Sequence, residues 1–268
     1  MSQRFQLSGR YIFLLFSFVS LILFNSCTQK EAEKKDLSQS TPVVMLNDAK
    51  SWAIKGNADL KNGKYDDAID DYNKAVSLDS HMADNYVSLA FIYWHVKKNF
   101  DQGLQFMNQA LAMDPKNEKY YNYRADAYSD FEKYDLAILD YSKILELDPE
   151  NKKVYSLRGL AYLMSKKYQE AVKDMSHAIL DNQDVRQNYN NRCYALDKLG
   201  EYDKALVDCD NAIALGPEVA DSYDTRSGVY LHKRDFDKSW ADVNKVKDLG
   251  GQSSPDILDE LKKESGRS

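Results

Sequence analysis

An arginine interrupts an otherwise packed helical run, YSLRGLAY, at Arg158, and the same intrusion occurs at Arg124, Arg192 and Arg226. The four are spaced 34 residues apart. A fixed period of this size limits the fold to one supersecondary unit repeated along the chain. Other residue types keep the period. Aromatics recur at Tyr65, Phe100, Tyr134, Tyr168, Tyr202 and Phe236, and again at Trp52, Tyr86, Tyr121, Tyr155, Tyr189 and Tyr223. Each series contains one spacing of 35, which places a single inserted residue between Tyr86 and Phe100. Small residues recur at Gly56, Ala90, Ala125, Gly159, Cys193 and Ser227, and at Ala68, Gly103, Ala137, Ala171, Ala205 and Ser239.

Six units follow, at 49–82, 83–117, 118–151, 152–185, 186–219 and 220–253. In nearly every unit, apolar or small residues fall at positions 4, 8 and 11, around the charged position 7, then at 17, 20, 24 and 27. These are the i, i+3, i+4, i+7 spacings of two amphipathic helices. A short polar turn such as Lys166-Lys167 joins them into an antiparallel pair. One pair cannot bury its own apolar face, so neighbours must stack. Ser254-Pro255 reads as a helix start with serine as the cap. Ile257, Leu258 and Leu261 give residues 254–268 the apolar face of a capping helix. Ser239 followed by Trp240, where the second helix usually has alanine, predicts a looser sixth unit.

The pattern resembles the tetratricopeptide repeat family, with its aromatic at position 4, small residue at 8, tyrosines at 11 and 17, alanines at 20 and 27, and proline at 32. Pro115, Pro149 and Pro217 supply that proline in three units, whereas Ser80 and Gln183 depart from it. The resemblance implies an all-α, right-handed α-solenoid of about six helix-turn-helix repeats that binds other proteins.

The periodic arginines are placed by facing-position arithmetic. With the turn near position 15, position 7 faces position 23. Position 23 is Asp140 for Arg124, Asp174 for Arg158, Asp208 for Arg192 and Asp242 for Arg226. Unit one has Lys55 with Asp71, and unit two has Leu89 with Phe106. Cation and anion occur together or are replaced together, so these residues read as structural ion pairs. Cys193 and Cys209 sit at positions 8 and 24 of unit five, near opposition. The usual axis separation of packed helices favours two small core residues over a disulfide.

The amino terminus carries a second signal. Arg4 and Arg10 precede an uncharged, mostly apolar run from Tyr11 to Phe24, followed by LFNSC. Residues 1–26 read as a signal peptide. LFNSC resembles a bacterial lipobox, with Phe24 where leucine is usual, which implies lipidation at Cys27 and a membrane anchor. Thr28 after the cysteine points to the outer membrane rather than the inner. Residues 27–48 are charged and polar, and read as a flexible tether.

Net charge is −6 with no basic stripe, which argues against nucleic acid. The four histidines have no partner at metal-ligand spacing, and no phosphate loop or nucleophile elbow is present. Neither a cofactor nor a metal nor an enzymatic activity is expected. What remains is a surface. Tetratricopeptide proteins line a concave groove with positions 2, 5, 9, 12 and 13, and on that basis Phe91, Trp94, His95, Asp126, Asp130, Leu160, Leu163, Met164, Asn190 and Tyr194, together with Tyr123 at position 6, form a candidate partner-binding groove. Unit one has Ala53 where the carboxylate-clamp version of the fold has a polar residue, so recognition of a C-terminal carboxylate is not expected. Two readings stay open: an envelope scaffold, such as an assembly factor, pilotin or protease adaptor, and a surface lipoprotein that binds an extracellular protein.

Overall fold

A computed structural model describes residues 48–180 and 186–267. The signal peptide, Cys27 and nearly all of the tether lie outside the described residues. Within them the elements are helical. Unit one is α1 (Ala49–Lys61) and α2 (Tyr65–Leu78), and unit two is α3 (Ala83–His95) and α4 (Phe100–Met113). Units three and four are α5 (Glu118–Asp130) with α6 (Tyr134–Leu147), and α7 (Lys152–Met164) with α8 (Tyr168–Ile179). Units five and six are α9 (Arg186–Lys198) with α10 (Tyr202–Leu215), and α11 (Ala220–His232) with α12 (Phe236–Asp248). The chain then forms α13 (Pro255–Ser265). Consecutive helices pack as pairs and each pair packs on the next, which makes a solenoid.

Local chemistry sets the helix ends. Asp48, Asn99, Asn117, Asn151 and Asp235 accept a hydrogen bond from a backbone N–H of the first turn. Every hairpin turn uses one left-handed residue: Gly63, Lys98, Glu132, Lys166, Gly200 and Arg234. Only two of the six are glycine, so the other four hold this conformation against a steric cost.

The hairpins close where the recurrent small residue of the first helix meets position 24 of the second. A Cβ on Gly56 would stand 3.0 Å from the Tyr72 ring, and one on Gly159 would stand 3.1 Å from Met175 Cγ. Tyr72 and Met175 are fully buried there. The same crossing point corrects the expectation for unit five. Cys193 and Cys209 form a disulfide with their Cα atoms 5.5 Å apart. The average spacing of packed helices does not apply at the point where small residues let the backbones approach.

The sixth unit is not loose at Ser239. That side chain is fully buried and its Oγ donates to Ser227 O at 2.8 Å. Trp240 Nε1 donates to Ser265 Oγ at 3.1 Å, tying α12 to α13. The capping helix α13 stays in register with the repeat: Ile257 and Leu261 occupy positions 4 and 8 of a seventh unit. Leu261 is fully buried in a cluster with Leu231 and Val243. Ser254 precedes the helix, but its side chain makes no capping bond. Its backbone N instead donates to both Asp224 oxygens at 3.2 Å.

Candidate partner-binding groove

The four arginine forks are built alike. Arg158 donates from Nε to Asp174 Oδ2 at 2.6 Å and from Nη2 to Oδ1 at 2.9 Å. Arg124–Asp140, Arg192–Asp208 and Arg226–Asp242 repeat this bidentate geometry, and Lys55 Nζ reaches both oxygens of Asp71 at 2.7 Å. Each guanidinium also lies against the tyrosine three residues before it: Tyr121, Tyr155, Tyr189 or Tyr223. In unit two the paired substitution is apolar. Leu89 is fully buried, and Phe106 packs against Tyr86 and Tyr93. The aspartates are buried, and burial pushes the Asp140 carboxyl up against the pull of Arg124. These charges are consumed by the fold and leave no arginine ladder free for a polyanion.

One arm of each fork was not visible in the sequence reading. Arg124 Nη1 donates to Asn108 Oδ1 at 2.6 Å, and Arg158 Nη1 to Ser142 Oγ at 2.9 Å. Arg192 Nη1 donates to Ser176 Oγ at 2.8 Å, and Arg226 Nη1 to Asp210 Oδ1 at 2.6 Å. Counting unit two without its inserted residue, all four acceptors hold position 25 of the preceding unit, so each arginine ties three helices rather than two. The recurring polar residue at position 25 was the available signal.

First helices of adjacent units are joined directly as well. Tyr120 Oη donates to Asp84 Oδ1 at 2.8 Å, and Ser156 Oγ to Asn188 Oδ1 at 2.5 Å. Asp197 and His232, on the inner positions 12 and 13, meet with Oδ1 and Nδ1 2.7 Å apart. The sequence reading weighed His232 only as a metal ligand and missed this pair, whose members lie one unit plus one residue apart. Among the described residues, no group of three His, Cys, Asp or Glu side chains could hold a metal.

The candidate groove residues divide. Phe91, Tyr123, Leu160, Leu163, Met164 and Tyr194 are half-buried. His95 is exposed, and its ring lies tilted against Phe91 with the centroids 4.5 Å apart. Lys198 lies over the Tyr194 ring at 5.1 Å. Trp94 does not belong to this surface. It is 3% exposed, and Nε1 donates to Phe100 O at 3.1 Å. Its indole fills the space over Gly103, where a Cβ would stand 2.4 Å from Nε1. The one glycine of the second small-residue series makes room for it. Asn190 is also buried, at 8% exposure, and its Oδ1 has no hydrogen-bond partner among the described residues.

Asp126 and Asp130 give the groove its acidic character. Asp130 is exposed. Asp126 accepts from Tyr141 Oη at 2.8 Å and from Asn122 Nδ2 at 3.0 Å, both neutral donors. Burial, with the Asp130 charge adding to it, pushes the Asp126 carboxyl up to about 6. A folded-state value above the unfolded one means that the folded chain binds this proton more tightly. The associated stability is present below about pH 4 and is lost as pH rises through about 6. Asp126→Asn is therefore expected to raise the denaturation midpoint above pH 6 and to leave it unchanged below pH 4. An offset that is equal at both pH values would contradict a perturbed Asp126.

Comparison with known proteins defines the class. Two family models, described as "TPR repeat" and "Tetratricopeptide repeat", match residues 56–96 and 124–184. With the in-register hairpins, they show that the chain carries tetratricopeptide repeats. Among solved structures it is similar to a tetratricopeptide repeat protein from Parabacteroides merdae, with a TM-score of 0.66 and 19% identity over 81% of this chain and 87% of that one. It is also similar to PilF of Pseudomonas aeruginosa, with a TM-score of 0.59 and 20% identity over 82% and 97%. YrrB, titled a protein with an unusual peptide-binding site, aligns at a TM-score of 0.58 and 21% identity over 72% and 97%. At these identities the likeness shows the fold. No curated protein matches the chain at significant similarity. The tetratricopeptide fold is typical of protein–protein interaction scaffolds.

Proposed function

We propose that the protein is a non-enzymatic scaffold, anchored in the bacterial cell envelope by a lipid on Cys27, that holds a peptide segment or helix of another protein in its concave groove. The carrying observation is the row of half-buried large side chains on consecutive first helices: Phe91, Tyr123, Leu160, Leu163, Met164 and Tyr194. Large apolar and aromatic side chains grouped on one face mark partner sites, and a few of them carry most of the affinity. The buried Cys193–Cys209 disulfide supports an oxidising compartment, as an envelope location requires. The fold neighbours PilF and PilW, the latter titled a type IV pilus biogenesis factor, make an assembly or pilotin role the natural form of this reading.

Two experiments test it. In co-purification from detergent-solubilised membranes, Phe91→Ala and Tyr194→Ala each weaken partner capture by about 2 kcal/mol or more. Lys173→Ala, at an exposed site on α8, leaves capture unchanged. If both aromatic variants stay folded and capture the same partners as the parent protein, the binding surface lies elsewhere. Separately, Cys27→Ala releases the protein from the membrane fraction and abolishes labelling by a fatty-acid analogue. A parent protein that never takes the label sinks the anchor and leaves plain secretion.

A further inference from the structure

The arginine forks join unit two to three, three to four, four to five and five to six. No fork joins unit one to unit two, because Leu89 stands where the arginine would be and Phe106 where its aspartate would be. The contact between units one and two is instead made by Ala68, Ile69, Tyr72, Leu89 and Ile92, all buried. A bidentate fork with a third arm to the neighbouring hairpin fixes the relative rotation of the two hairpins, because its hydrogen bonds are directional. Apolar contact attracts without that directionality. The surface ion pair Lys97–Asp66 crosses this seam, but Lys167–Asp135 and Lys233–Asp203 cross two of the forked seams in the same way, so it does not replace the fork. Ser88 beside the Tyr72 hydroxyl is a further polar neighbour at the seam, and Asn85 Nδ2 donates to Met82 Sδ at 3.4 Å where the chain passes between the units.

From this we infer that the solenoid has a hinge built into it between units one and two: units two to six form one body, and unit one rocks on an apolar bearing at the mouth of the groove. The missing parts are few. Asn73 already holds position 25 of unit one, the place that Asn108 holds when it accepts from Arg124. Leu89→Arg with Phe106→Asp would complete the fork.

The test uses the full chain with spin labels carried by unnatural amino acids, so that the native cysteines are untouched. Asp70, Leu139 and Val207 occupy position 22 of units one, three and five, and all three are exposed. Each adjacent pair of labels spans two seams. The Asp70–Leu139 distance distribution is expected to be broad or two-peaked, and the Leu139–Val207 distribution single and narrow. Leu89→Arg with Phe106→Asp narrows the first to the width of the second and leaves the second alone. Arg192→Leu with Asp208→Phe copies unit two at another seam and broadens the second, which keeps the question decidable if the first double variant fails to fold. Equal widths in the parent protein overturn the hinge. So does a folded Leu89→Arg/Phe106→Asp variant whose Asp70–Leu139 distribution stays broad, or a folded Arg192→Leu/Asp208→Phe variant whose Leu139–Val207 distribution stays narrow.

Discussion

Arg158→Leu is expected to lower the unfolding free energy by about 3–5 kcal/mol, because it strands Asp174 in the interior. Asp174 is 5% exposed and takes both fork bonds from Arg158. The same substitution removes the bond to Ser142 on α6, so local opening should spread into unit three as well. Arg158→Leu with Asp174→Phe copies unit two, where Leu89 and Phe106 fill this space, and should recover much of the loss. Replacing a buried ion pair with apolar residues of similar volume is often neutral, whereas removing one partner is not. Chemical denaturation of the two single variants and the double completes the cycle. Equal and additive losses would show that Arg158 and Asp174 do not interact.

Loss of the Cys193–Cys209 disulfide has the second large effect. The bond closes a loop with a sequence separation of 16, and a loop of that length corresponds to about 3 kcal/mol of stability. Both cysteines are fully buried, so a reductant acts through open states of unit five. Cys193→Ala with Cys209→Val is the informative variant. It restores the small-against-large pairing that Ser227 and Val243 use at the same positions of unit six, and so removes the cross-link while keeping the crossing filled. The expected result is a parent protein whose melting temperature falls on reduction and a variant that melts lower and ignores reductant. Identical melting of the two in oxidising buffer would show that the disulfide contributes nothing.

The architecture was largely readable from periodicity, because a unit that cannot bury its own face must repeat the same spacing at every copy. Even the facing of position 7 and position 23 followed from the turn position alone. What escaped the sequence depended on the distance between helices rather than on their order. The third arm of each arginine needed the stack as well as the hairpin. The disulfide was judged by an average axis separation, although the small-residue crossing at positions 8 and 24 brings Cys193 and Cys209 within 5.5 Å. Trp94 looked exposed because position 12 is an inner position in the resembled family. It turns inward instead, and Gly103 is the hole that receives it. Asn190 shows the same limit, since burial at position 5 depends on neighbours that the repeat pattern does not specify.

The three-way forks also bear on how many units such a chain can contain. Each fork asks only for arginine and aspartate in its own unit and a polar acceptor at position 25 of the unit before. Ser142 and Ser176, the acceptors for Arg158 and Arg192, are the same residue type. A chain lacking residues 152–185 would therefore bring Arg192 up against Ser142, and the new junction would find its acceptor in place. In units three to five of this ladder, a whole repeat is an interchangeable part: gain or loss of one alters the length of the groove while every surviving joint keeps its chemistry.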